Sequence, residues 1–329
     1  MNPILRILIG GACIVIILAG IRAASSIVGT ILLSVVLAMS ITPVVNFLID
    51  KGVKRSLALL ITIIVILVFG VLLISILGSS TVELARVLPT YESRLDQLVK
   101  SGTEFLARFN INANDLFSMG QFDPRNILQF VTPVIGGIVN VFSSSLFIIL
   151  LIVLMIVEFS SYEQRLKHCE LKSGTATARM YEVRIDIRKY LSITALTGFM
   201  ASVANVLLLL ALGVEFAVLW GVLYFFFNFV PVIGAVISTV LPALFALLQF
   251  GWTQAIIVLV GFTLFNNIAD NVIKPKLMQD ELEISLLMIF ISLIFWNFIL
   301  GPLGSILAIP LTITIKRIYQ EFAEQGQST

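Results

Sequence analysis

Histidine is the scarcest residue in this sequence: His168 stands alone among 329 residues, inside a charged segment. There it reads as a solvated side chain, which leaves acid–base and metal chemistry without its commonest participant. Cysteine occurs twice, as Cys13 in an apolar run and Cys169 in a charged loop. That pattern excludes a disulfide framework and a thiolate metal site. Charge is sparse as well. Asp, Glu, Lys and Arg make up 12% of the chain, against about 25% in a typical soluble domain. No long basic run is present, so nucleic acid is not an expected partner. Gly-x-x-x-x-Gly-Lys-[Ser/Thr], His-Glu-x-x-His and Gly-x-Ser-x-Gly are all missing, which removes the phosphate-cradling loop, the zinc protease helix and the nucleophile elbow. No catalytic residue, metal or cofactor is expected, and the chain does not read as an enzyme.

What the chain does have is apolar length. Apolar residues make up 59%, and the mean hydropathy is +1.06. The fold class expected is an all-α polytopic membrane protein of about eight transmembrane helices, each near the 20 residues that cross hydrocarbon, with one or two re-entrant or hairpin helix pairs. Residues 1–78 hold the N-terminal spans, 4–21, 26–49 and 57–77. Ala23-Ala24-Ser25 resembles a signal cleavage site, but the first span is expected to be retained. Polar residues at 26, 30, 34 and at 42, 46 keep helical spacing; helix packing is the favoured reason, a water path the other.

Residues 79–132 form the one long polar insert, in which Leu84, Leu88, Tyr91, Leu95, Leu98, Phe105 and Leu106 recur at helical steps. Amphipathic helices outside the bilayer core are expected there, with a loop at 110–124. A span follows at 133–157, opening with Pro133-Val-Ile-Gly136, a tetrapeptide that returns at 231–234. The charged segment 158–190 reads as a surface helix leading into the next span. Residues 191–317 form a C-terminal transmembrane core with broken helices, and 318–329 a polar tail. Basic loops fall on one side if the spans alternate, which places both termini in the cytoplasm of a cell-membrane protein and the insert outside.

The core is organised around Asn228-Phe-Val-Pro231-Val-Ile-Gly234, with Pro242 beyond it. Proline removes a backbone donor and clashes with the carbonyl four residues back. Glycine allows close backbone approach. In hydrocarbon such a break is tolerated only where protein or a polar cavity satisfies it. Segments 216–229 and 232–250 therefore read as half-spans meeting at 228–234. An ordinary proline kink accounts for the same residues equally well. Nearby, Asn266, Asn267, Asp270 and Asn271 occur at i, i+1, i+4 and i+5, and Lys274 can pair with Asp270. They mark either a solute- or ion-facing patch or a solvated helix end. Asp270 opens a stretch, 270–283, that reads as a polar connector. Glu158 and Glu215, at span ends, read as solvated carboxylates. Gly301-Pro302-Leu303-Gly304 marks a second turn, between 284–300 and 303–315.

Three stretches carry a resemblance: Asn228 to Gly234 with Leu241-Pro-Ala, Asp270-Asn-Val-Ile-Lys-Pro275-Lys-Leu-Met278, and Leu303-Gly-Ser-Ile-Leu-Ala-Ile-Pro310-Leu311. In order and spacing they resemble the C-terminal signatures of the autoinducer-2 exporter family, also described as uncharacterised permeases. Gln279 departs from the family's usual glycine. The resemblance implies re-entrant hairpins, a homo-oligomer of pentamer type, and efflux of a small hydrophilic molecule; some members resemble sodium (lithium)/proton antiporters. On these grounds the solute pathway is expected at Asn228, Pro231, Gly234, Pro242, Asn266, Asn267, Asp270, Asn271, Lys274 and Pro275, and hinge or hairpin turns at Pro302, Gly304 and Pro310. The expected partners are the lipid bilayer and a small hydrophilic solute or cation. Export of a neutral polyhydroxylated solute leads, ahead of cation/proton exchange through Asp270 and of a non-transporting membrane scaffold.

Overall fold

The computed structural model describes residues 3–107, 145–167, 176–278 and 285–327, and every element in them is helical. The expectations for the 110–124 loop, the start of the span at 133, His168, Cys169 and Gln279 lie outside these residues. The helices are α1 (Pro3–Ala23), α2 (Ser25–Asp50), α3 (Arg55–Ala107), α4 (Ser145–Lys167), α5 (Ala176–Leu212), α6 (Ala217–Phe227), α7 (Ile233–Phe250) and α8 (Trp252–Asn267). A π-helical turn (Ile268–Ile273) leads on to α9 (Lys274–Met278), followed by α10 (Leu286–Leu300) and α11 (Pro302–Gln327).

Among the described residues, five helices are long and apolar enough to cross a membrane: Ser25–Asp50, Arg55–Leu84, Val183–Leu212, Ile233–Phe250 and Trp252–Leu277. On α3, Ile64, Val65, Val68, Phe69, Val71 and Leu72 all face outward. A surface this apolar suits lipid rather than water. The chain is a multi-pass membrane protein.

In two places the helices outrun the apolar pattern. The span expected at 57–77 and the start of the polar insert are one helix, α3, of 53 residues. Hydropathy changes near Ser79, but the helix continues past it to Ala107. Likewise 176–212 is one helix, with the charged surface segment running straight into the span.

The α2 polar spacing resolves as packing. Thr30, Ser34 and Thr42 donate to the carbonyls of Ser26, Thr30 and Ala38, at 2.6, 2.8 and 2.6 Å. Each hydroxyl is satisfied by its own helix, so the face can bury against a neighbour.

Two cores result. One gathers α6, α7, α8 and the C-terminal half of α5 around Trp220, Phe245 and Phe262, with Leu77, Leu84 and Tyr91 of α3. The other joins α2, α4, α10, α11 and the N-terminal half of α5. Helix α5 is their common wall. Arg317 of α11 pairs with its Asp186 at 2.7 Å.

Glu215 is exposed, as its position suggested, but it is not free of protein partners. It accepts the Tyr91 hydroxyl at 2.7 Å, and Gln249 donates to Tyr91 at 2.8 Å. Arg94 donates to the carbonyl of Gln249 at 2.9 Å, a cation on the free carbonyls of a helix C-terminus. The C-terminal part of α3 thus holds both ends of the α6–α7 hairpin.

Candidate functional site

The break falls where the proline and glycine place it. Helix α6 runs for 11 residues, about 16 Å at 1.5 Å per residue and well short of the hydrocarbon thickness. It stops at Asn228, and α7 begins at Ile233. Between them the Ile233 amide donates to the Pro231 carbonyl at 2.7 Å. Val232, at the centre of that turn, has φ 62° and ψ −62°. This is the rare, strained form of the γ-turn, and a β-branched residue suits it poorly. Gly234 is the other requirement. A methyl group on its α-carbon would overlap the Phe227 carbonyl oxygen, so the hairpin closes only over a bare α-carbon.

The polar side chains converge on this hairpin from two neighbours. Asn228 donates to the Thr194 carbonyl of α5 at 3.0 Å. Asn266 of α8, 8% exposed, donates to Thr239 of α7 at 3.3 Å, and its carbonyl oxygen has no partner. Pro242 is buried within α7. Asn228, Pro231 and Gly234 thus lie at the break itself, and Pro242 and the Asn266 contact lie further along α7.

The other expected residues divide. Asp270 and Lys274 pair at 3.7 Å across one turn of their own helix, with side chains 40% and 21% exposed. The Lys274 ammonium lies 5.7 Å from the centroid of the Tyr190 ring, which ties this turn to α5. Asn267 of α8 and Asn271 of the π turn are exposed, and the Asn271 amide donates to the Asn267 side-chain oxygen at 2.8 Å. The stretch from Asp270 is helix through Met278, not the connector expected there. Its π turn has a local cause. Pro275 lacks an N–H and its ring crowds the carbonyl four residues back, so the helix widens just before it. The Lys274 amide accordingly donates to Ala269, five residues back.

Pro302, Gly304 and Pro310 belong to the other core. Pro302 opens α11, where its missing donor costs nothing, and Pro310 is buried inside it. Gly304 sits against the Trp296 carbonyl as Gly234 sits against Phe227. The α10–α11 hairpin repeats the device in that core.

Sequence reasoning missed the wall. Thr194, Thr197, Ser202 and Asn205 are all buried on α5. Their spacing of three, five and three residues, with Gly198 and Ala201 between, describes one helix face. That signal was available, but small polar residues in a long apolar run read as span filler.

A profile of the AI-2E family transporter matches residues 12–324. The chain belongs to the AI-2E transporter family. It is 31% identical over 324 residues to the "AI-2 transport protein TqsA" of Escherichia coli (strain K12), covering 98% of this chain and 94% of the relative. It is 30% identical over 322 residues to the "Putative transport protein YhhT" of the same organism, covering 98% and 92%. A "Putative transport protein" of Haemophilus influenzae (strain ATCC 51907 / DSM 11121 / KW20 / Rd) matches at 30%, covering 94% and 91%. The AI-2E family places the hairpin and its polar neighbours in a membrane transporter.

Proposed function

We propose that this transporter exports a small, neutral, hydrogen-bonding solute of the autoinducer-2 kind. The solute passes along the polar face of α5 at the α6–α7 break. The observation that carries this reading is the chemistry of these groups: Asn228 and Thr194 at the break, and Asn266 and Thr239 beyond it on α8 and α7, are uncharged hydrogen-bonding groups. Such groups match a sugar-like solute. Movement of the half-helices about Pro231, Gly234 and Pro242 opens and closes the route. In this arrangement the α3 arm lies outside the cell and both termini lie in the cytoplasm. The test is efflux of autoinducer-2 from loaded proteoliposomes. Efflux faster than from protein-free vesicles, reduced at least tenfold by Asn266→Ala, supports the reading. Efflux no faster than the protein-free control overturns it.

A second reading, sodium or lithium exchange for protons, is favoured by the position of Asp270 on the π turn that follows α8. Exchange needs a carboxylate that trades a proton for a cation. Sodium-dependent proton flux abolished by Asp270→Asn establishes it, and no flux at any pH ends it.

A further inference from the structure

Among the described residues, Asn205, Trp220, Thr194 and Asn266 have buried polar atoms without a hydrogen-bond partner, and Asn205 has neither its donor nor its acceptor satisfied. Asn205 is 0% exposed, and neither its amide nitrogen nor its amide oxygen has a hydrogen-bond partner. Trp220 is 1% exposed, and its indole N–H has none either. Buried amides and indoles are ordinarily paired, because leaving them unpaired forfeits their full solvation.

The two residues share one seam. Ala201 and Leu209, one turn before and one turn after Asn205 on α5, pack in the same core as Trp220, Tyr224, Phe245 and Phe262. Ser202, three residues before Asn205, donates to the Gly221 carbonyl at 2.7 Å, directly after Trp220. Gly221 has no room for a side chain against Val206, so α5 and α6 are in close contact here. Packing alone does not call for an amide at such a place; a leucine would fill it at no cost in hydrogen bonds.

We propose that Asn205 and Trp220 form the internal binding site for the transported solute. This deepens the export reading above and rests on it. The site offers two donor groups and one acceptor, and no charge. It therefore selects a neutral solute with adjacent oxygens: the Asn205 carbonyl accepts from a hydroxyl, while its amide and the Trp220 indole donate to hydroxyl or carbonyl oxygens. A cation finds no carboxylate in the pair, and an anion no counter-charge.

The chain has three tryptophans, so a Trp252→Phe, Trp296→Phe background leaves Trp220 as the sole reporter. The full-length protein in nanodiscs is titrated with autoinducer-2, and Trp220 emission is followed beside proteoliposome efflux. The expected result is a saturable emission change, weakened at least tenfold by Asn205→Leu, with efflux lost in parallel. Asn205→Ser, which keeps one polar group, is expected to bind with intermediate strength, and it decides the matter if Asn205→Leu fails to fold. A saturable change that Asn205→Leu and Asn205→Ser leave intact overturns the site, as does efflux that persists with Trp220 emission unmoved; in both cases export itself stands. An Asn205→Leu protein of higher thermal midpoint and unchanged efflux also overturns it, making the amide purely structural. Absence of efflux in the unsubstituted protein brings down the export reading instead.

Discussion

The Tyr91 hydroxyl meets the Glu215 carboxylate at 2.7 Å across 124 residues of chain. One group belongs to the C-terminal part of α3, the other to the turn that starts the broken hairpin. Glu215 is exposed, so solvent screens the pair. A double-mutant cycle of Tyr91→Phe and Glu215→Gln is expected to give a coupling of about 1 kcal/mol in thermal or denaturant unfolding. A coupling indistinguishable from zero makes the contact incidental.

The same pair sets a pH limit. Burial first, and then the carboxylate it donates to, push the Tyr91 hydroxyl up from 10.0 to about 12. A raised value means that the protonated form is favoured by folding. The contribution is complete below about pH 10 and disappears as pH rises toward about 12. In Tyr91→Phe this part of the alkaline slope is expected to vanish. A titration of unfolding midpoint between pH 9 and 12 checks it.

Gly234→Ala places a methyl group on the Phe227 carbonyl. The backbone cannot yield as a flexible side chain would. The expected cost is on the order of 3 kcal/mol, with transport lost. Gly78→Ala is the matched control, since nothing lies within 4 Å of the added atom; a helical glycine there gains up to about 1 kcal/mol on becoming alanine. Equal midpoints for the two variants contradict the close approach.

Val232→Gly removes a β-branched residue from φ 62°. The strain relieved is about 1–3 kcal/mol, partly offset by about 0.5–1 kcal/mol of added chain freedom. A stability gain of about 1 kcal/mol is expected. The more mobile turn is expected to change the efflux rate, measured beside the midpoint.

Arg317→Gln breaks the 2.7 Å pair with Asp186 between α11 and α5. The arginine is 46% exposed, and pairs of this kind contribute about 1 kcal/mol or less. A small shift in midpoint with unchanged efflux is expected; a large loss would make this pair a structural tie between α11 and α5 within their shared core.

The sequence made the membrane class, the break at Asn228–Gly234 and the Asp270–Lys274 pair readable, because each depends on composition or on spacing within one helix. The ends of α3 and α9 were less so. Charge marks where a helix enters water, and Pro275 looks like a terminator although a π turn absorbs it. The partners of Glu215 were not readable at all, since Tyr91 and Gln249 lie far away along the chain. The polar face of α5 was written in the spacing of Thr194, Thr197, Ser202 and Asn205, yet their importance depends on α6 and α7 packing against them. Pro242 and Pro310 look alike in sequence, and only the packing assigns them to different cores.

Water access at the break is the direct test of a solute route through it. Asn228→Cys is made in a Cys13→Ser, Cys169→Ser background and treated with a charged, membrane-impermeant thiol reagent. Ile256→Cys, on the 57% exposed outer face of α8, serves as the lipid-facing control. Labelling at residue 228 that autoinducer-2 slows, with none at 256, is the predicted result. A thiol at 228 as unreactive as the one at 256, from either side of the membrane, contradicts it.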